Sequence, residues 1–218
     1  VDLQELGFSE NAKPHHVVAE SDGSYWYVTL IGENSVLKFN RNNELVDQAK
    51  LEVPGLLALH PQDDLLFVGR SMSAVNPPQS FGVVNRSSMD VLDEIDLFFT
   101  RPHALTTSVD GSWTFVGSLS ENPILTYNLE NDESNLTNVA GNPHVYVNFA
   151  VHPDGSTMVA TGQISGQLLV FDISDPMNPE LTDMIETEAM PWHPVFSPDG
   201  KFVYFGNKQD HSVSIVNM

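Results

Sequence analysis

Histidine is the residue type whose placement in this chain could carry chemistry. Four segments open on a proline with a histidine close behind it: Pro14-His15-His16, Pro102-His103, Pro143-His144 and Pro191-Trp192-His193. Neutral imidazoles gathered at one place can ligate a transition metal, provided that neighbouring acceptors orient their rings. His15, His16, His103, His144 and His193 are therefore the candidate metal ligands. Their spacing argues for a second reading. Counted back from the next aspartate turn, His15 and His103 lie seven positions away, His16 and His193 six, and His144 ten. Neighbouring positions on a strand point to opposite sides. One shared geometry then needs backbone adjustment, with a bulge or longer entry at His144. Otherwise the histidines are polar strand starts bonded to backbone or water. His60 and His152 each precede a proline at a turn and read as exposed, and His211 reads as a loop residue.

The elements that must position these residues follow from a repeat. PHHVVAESDGSYWYVTLIGENSVLKFN from Pro14, PGLLALHPQDDLLFVGR from Pro54 and PHALTTSVDGSWTFVGSLSENPILTYN from Pro102 align with one another. FAVHPDGSTMVATGQISGQLLVFD from Phe149 and PWHPVFSPDGKFVYFGNKQDHSVSIVN from Pro191 continue the series. The turn positions Asp22, Gln62, Asp110, Asp154 and Asp199 recur every 40–48 residues, the period of a four-stranded propeller blade. Asp-Gly pairs supply a positive-φ turn, and alternating β-rich runs on either side read as strands. No capped 3.6-residue periodicity argues for a helix.

The expectation is an all-β chain, one β-propeller domain of five four-stranded blades. The blades run over about 14–53, 54–101, 102–142, 143–190 and 191–218 plus 1–8. The last unit stops after its third strand. Residues Val1–Phe8 are therefore expected to pair beside Val213–Val216 and close the blade, removing an open sheet edge. The alternative is that these are five blades of a larger propeller. The first strand of a blade lines the central channel, so the Pro-His entries are expected around one rim. The second unit carries an insertion, Arg70–Ser80, that Asn76, Pro77 and Pro78 stiffen. Arg70, Asn76, Pro77 and Pro78 are the candidate partner-binding loop, since face loops often make contacts.

Composition narrows the function. The 218 residues include 29 acidic and 9 basic side chains, for a formal net charge of −20. Such a surface repels phosphate backbones, so nucleic acid is not the expected partner, whereas a cationic protein partner is. The absence of cysteine excludes disulfides, thiolate metal sites and Cys-x-x-Cys-His haem attachment within this chain. No apolar run reaches transmembrane length. Gly-x-Ser-x-Gly, phosphate-loop and Gly-x-Gly-x-x-Gly motifs are missing.

The segments SDGSYWYVTLIGENSVLKFN and SPDGKFVYFGNKQDHSVSIVN resemble the YVTN-type propeller repeat, which runs Pro-His-Gly, Ser-Pro-Asp-Gly, Tyr-Val-Thr-Asn and then a valine-rich strand. That resemblance implies the propeller fold and an exported, periplasmic or cell-surface setting. It spans surface-layer proteins, lactonases and haem propellers, so it leaves function open. A narrower likeness is to the nitrous oxide reductase propeller, where histidines from several blades, including a His-His pair, hold a copper–sulfide cluster. His15-His16, His103, His144 and His193 are the matching residues. One blade lacks the histidine and the cysteine-bearing copper domain is absent, so the full activity is not implied. The expected function is an extracytoplasmic, non-enzymatic binding or assembly propeller, part of a surface or redox complex. The alternatives are a redox protein binding copper or another transition metal at its histidines, and a lactonase-like hydrolase for which no acid–base set can be assigned.

Overall fold

Short apolar runs, many buried along nearly their whole length, are separated by turns that glycines and aspartates stabilise, and make this chain almost wholly strand and turn. A computed structural model describes residues 1–70 and 75–218. Among the described residues the helical content is one 3-10 turn, Ile31–Glu33. The strands form antiparallel meanders, each strand pairing with the next along the chain. Such meanders are propeller blades, and five follow one another.

Two compact units result, Val1–Pro102 and His103–Met218. The first holds the blade β1 (Pro14–Ala19), β2 (Tyr25–Leu30), β3 (Ser35–Asn40), β4 (Leu45–Lys50). It also holds the blade β5 (Pro54–Leu59), β6 (Leu65–Arg70), β7 (Ser80–Asn85), β8 (Val91–Asp96). Tyr27, Val36, Ala49 and Leu51 of the first blade bury against Leu57, Leu66, Val68 and Val84 of the second. Side chains of this size each contribute about 1.5–3 kcal/mol when removed from water, which is what holds two sheets face to face.

The second unit begins within β9 (Pro102–Thr107), followed by β10 (Thr114–Ser118), β11 (Ile124–Asn128) and β12 (Glu133–Thr137). The next blade is β13 (Tyr146–Val151), β14 (Thr157–Gly162), β15 (Gln167–Asp172) and β16 (Glu180–Glu186). The last is β17 (Pro191–Phe196), β18 (Phe202–Asn207) and β19 (Ser212–Asn217), a three-stranded sheet. Phe115, Ile124, Tyr146, Phe149, Met158 and Phe171 belong to one buried cluster of this unit. Val159 and Leu168 bury against Val203 and Phe205 of the last sheet.

The turns work as their residues dictate. Gly23, Gly111, Gly155 and Gly200 have φ between +69° and +80°, the region open to glycine without strain. Asp22, Asp110 and Asp154 accept the backbone N–H groups of Ser24, Ser112 and Ser156 at 2.8–3.1 Å. Hydrogen bonds to the ionised form hold these carboxyls below their usual range, and Asp199, bonded first of all by Ser197 and then by Lys201, is lowered to about 2.

The N-terminal segment departs from expectation. Residues 3–7 form turns, and Val1–Phe8 adds no strand to the last sheet, whose order ends at β19. Sheet one captures the segment instead. Leu3 and Phe8 pack on Ala12, Val28, Leu30, Leu37 and Phe39. Ser9 N–H donates to the Glu33 carboxylate at 2.9 Å, and Gly32 N–H donates to the Ala12 carbonyl at 2.8 Å. Gly32 is what lets the Asn11 backbone come so close, since a Cβ there would lie 1.8 Å from the Asn11 carbonyl oxygen.

Candidate functional site

Every innermost strand is entered in the same way. The residue before it has positive φ: Lys13, Val53, Arg101, Val145 and Met190 lie between +44° and +59°. In four of the strands the pairing then slips by one residue. Pro14 faces Leu30 but Val17 faces Val28, and the same happens after Pro54, Tyr146 and Trp192. A β-bulge of this kind turns side chains and leaves backbone groups outside the ladder. Those groups need partners, because an orphaned buried amide or carbonyl costs about 1–3 kcal/mol.

At the bulges after Pro54 and Tyr146, histidines supply partners. His103 is buried, and its Nδ1 donates to the carbonyl of Val147, the bulge residue of the next blade, at 2.7 Å. His15 holds the same place in its own blade and hydrogen-bonds the carbonyl of Gly55, the matching bulge residue of the following blade. Burial pushes the His15 imidazole below its ordinary value of 6.5, and the Gly55 bond opposes this in part. His16 works on the other group of the same bulge: its Nδ1 accepts the Leu57 N–H at 3.1 Å, which places the ring proton on Nε2. Its own N–H donates to Thr29 Oγ1, whose hydroxyl donates to the Gly55 carbonyl at 2.9 Å. The pairs His15–Gly55 and His103–Val147 are one device used twice: an imidazole stapling a blade to the bulge of its neighbour.

The separation of the histidines into two kinds of position, read from six and seven residues, is present in the structure. Counting along the paired strands, His193 corresponds to His16, and Trp192 to His15 and His103. His193 has φ +25° directly before Pro194, whereas His16, Leu56, Ala104 and Asn148 at the equivalent place have no positive φ. His144 follows neither pattern. Tyr146 takes the position of the entry proline, so His144 precedes β13 and needs no inward bulge. It is 1% exposed, stacks on Tyr146 at 5.8 Å and lies 3.2 Å by Nε2 from the Ala140 carbonyl, with Nδ1 buried and unpartnered. Among the described residues no group of three or more His, Asp or Glu is arranged to hold a metal ion.

Two other histidines correct the sequence reading. His60 is buried, with Nδ1 accepting the Asp63 N–H at 2.7 Å. His152 is partly buried edge-on to Phe196 at 5.0 Å and sits beneath Gly200, where a Cβ would meet its ring. Both cap a turn that Ser108 and Ser197 cap elsewhere with a hydroxyl, and a capping ring must lie inward.

The insertion is anchored from below. Arg70 ends β6 and is 7% exposed. Its guanidinium donates to the Glu52 carbonyl at 3.0 Å, the Glu52 carboxylate at 3.1 Å, Ser80 Oγ at 2.8 Å and the Glu94 carboxylate. It therefore joins the two ends of the loop and does not project from it. Residues 71–74 of the proposed loop lie outside the described residues. Beyond them Asn76 has φ +49°, and the carbonyls of Pro78 and Gln79 accept the N–H groups of Arg101 and Leu97. The segments 75–79 and 97–101 thus form one surface. It carries Val75 and Phe98, 76% and 72% exposed, the two most exposed large apolar side chains among the described residues. Sequence reasoning missed Phe98; the run Leu97-Phe98-Phe99 breaks strict alternation, which was the available signal.

No family model matches this sequence, and neither does any curated protein. Solved structures do resemble it. Hydrazine synthase from Kuenenia stuttgartiensis is 17% identical with a TM-score of 0.67, covering 96% of this chain and 78% of that one. A functionally unknown protein from Desulfotomaculum acetoxidans is 15% identical with a TM-score of 0.78, covering 96% and 71%. A putative 6-phosphogluconolactonase from Bacteroides uniformis is 17% identical with a TM-score of 0.76, covering 93% and 67%. At such identities the likeness establishes the propeller fold and nothing about activity.

Proposed function

We propose that this chain is an extracytoplasmic, non-enzymatic binding or assembly propeller of the YVTN-repeat type, which receives a cationic protein partner. The observation that carries this reading is the fate of the basic side chains. Arg70 is paired with Glu52 and Glu94, and Arg86 approaches Glu20 and Asp64. Nine basic side chains against 29 acidic ones leave the chain strongly negative, and the exposed strands β8 and β16 carry carboxylates. A field of that sign steers and orients a basic partner. Val75 and Phe98 offer the apolar anchors that rim charges lack.

The test is cross-linking in the native host, comparing the wild type with Phe98→Asp. The expected result is a salt-labile complex with a basic protein in the wild type and its loss in the variant. A complex that survives both salt and Phe98→Asp would overturn the reading. Metal binding is the second reading, and one observation favours it: the Nδ1 bond of His103 to a carbonyl fixes the orientation of the ring, as in oriented metal ligands. Elemental analysis of protein purified without added metal separates the two readings. The lactonase-like alternative rests on shared fold alone.

A further inference from the structure

The edges of the sheets differ in how they are protected. The outer strands of the four-stranded sheets carry carboxylates: Asp47 on β4, Asp93 and Glu94 on β8, Glu133 on β12, Asp183 and Glu186 on β16. The pairing of β4, β8 and β16 with their neighbours is also interrupted by a register shift. Charges and bulges on an outer strand keep it from pairing with another chain. The last sheet ends on β19, which has neither device. Its sequence Ser-Val-Ser-Ile-Val-Asn holds no charge and no proline, and it pairs with β18 without a shift along its whole length.

By its pairing β19 is an inner strand left outermost. Tyr204 faces Ile215 as Tyr27 faces Lys38, so β19 takes the place that β3 has in the first sheet, where β4 covers it. The Met218 N–H donates to the Lys201 carbonyl, and backbone groups alternate along a strand. Ser212, Ser214 and Val216 therefore bond β18, and Val213, Ile215 and Asn217 turn N–H and C=O outward. Val213 and Ile215 are 67% and 61% exposed, whereas Val36 and Lys38 at the equivalent places of β3 are 0% and 6% exposed. Val1–Phe8, the segment of this chain expected there, is held on the first sheet instead.

We infer that β19 pairs with β19 of a second copy of this chain, antiparallel about Ile215, in a two-fold dimer. In that register Ile215 faces its counterpart and Val213 faces Asn217, and all three turn their backbone groups to the partner, for about six hydrogen bonds. Charge selects this occupant. Two copies of net charge −20 repel each other, so they can touch only where carboxylates are missing, and β19 is such a strand. A basic partner finds nothing on it to attract a cation. The two-fold uses up this edge on both copies, so assembly closes at the dimer. One strand edge falls short of a standard interface of about 1,600 Å², so the dimer is weak. The inference is independent of the basic-partner proposal, and its salt dependence has the opposite sign: screening strengthens contact between like-charged copies and weakens contact between opposite charges.

The experiment is sedimentation velocity of the whole chain from micromolar to near-millimolar concentration, at low and at moderate salt, with amide hydrogen exchange at both ends of that range. A monomer–dimer equilibrium is expected, about tenfold tighter at moderate salt. The backbone amides of Val213, Ile215 and Asn217 should be protected in the dimer alone. Ile215→Lys sets two ammonium groups opposite each other and should weaken the dimer about tenfold, whereas Ile215→Val should keep it. The melting temperature of dilute Ile215→Lys should hold, since Lys38 occupies the equivalent place of β3. The inference is overturned by a chain that stays monomeric throughout, by a dimer whose three amides exchange as in the monomer, by a dimer that Ile215→Lys leaves intact, or by assembly beyond the dimer. Protection of those amides in the monomer would also overturn it, because another segment of the chain would then hold the edge.

Discussion

Replacing His103 with alanine tests whether the histidines are staples. In the fold the imidazole donates to the Val147 carbonyl at 2.7 Å, and both residues are nearly inaccessible to solvent, at 4% and 1%. His103→Ala leaves that carbonyl without this donor in a place water does not reach, at a cost of about 1–3 kcal/mol. Loss of the ring adds about 1 kcal/mol for the space left behind. The expected destabilisation is about 2–4 kcal/mol, a large part of a typical domain's stability. With a urea slope of about 2 kcal/mol/M, the midpoint should fall by about 1–2 M. Trp113 packs against the cluster that joins the third and fourth blades, so its fluorescence reports the transition locally. His103→Gln keeps a donor and should recover about 1 kcal/mol. A loss below about 0.5 kcal/mol would refute the reasoning, since that is the range of an ordinary surface substitution. So would a variant that releases bound metal at unchanged stability.

Four further outcomes are expected. His15 is held neutral by burial while the unfolded ring titrates near 6.5, so acid favours the unfolded state. Stability should be full above the unfolded value and fall as pH drops below it, until the folded ring protonates; His15→Gln should flatten that part of a pH–melting curve. Arg70→Met should cost about 2 kcal/mol in thermal unfolding, less than a fully buried pair, because Glu52 and Glu94 are 71% and 46% exposed and water takes them over. Gly32→Ala should destabilise the Val1–Phe8 segment, with earlier hydrogen exchange at the backbone amides of positions 31 and 32, because its Cβ meets the Asn11 carbonyl. Added salt should raise the melting temperature by screening repulsion among 29 carboxylates, and a flat or falling curve between low and moderate salt would count against that account.

Much of the architecture is legible in local chemistry. Asp-Gly turns at a regular period and period-two alternation depend on residues one to four apart, so they mark the blades, their strands and the positive-φ turn positions from Asp22 to Gly200 without reference to packing. The division of the histidines into two kinds of strand position follows from counting alone, again because a strand has a period of two. What those histidines touch does not. The His16–Leu57 and His103–Val147 partners lie 41 and 44 residues apart, and they meet because bulges in neighbouring blades expose backbone groups at the height of the imidazoles. Arg70 reads as part of a polar insertion, yet tertiary packing buries it, since Glu52 arrives from the connection between β4 and β5 and Glu94 from β8. The same holds for Val1–Phe8, whose apolar Leu3 and Phe8 suit an edge strand as well as a cap on the first sheet. The choice between them rests on Gly32 admitting the Asn11 backbone and on Glu33 accepting the Ser9 N–H. Element type is a short-range property of the chain, whereas the partner of a buried polar group is settled by which surfaces the packed sheets bring together.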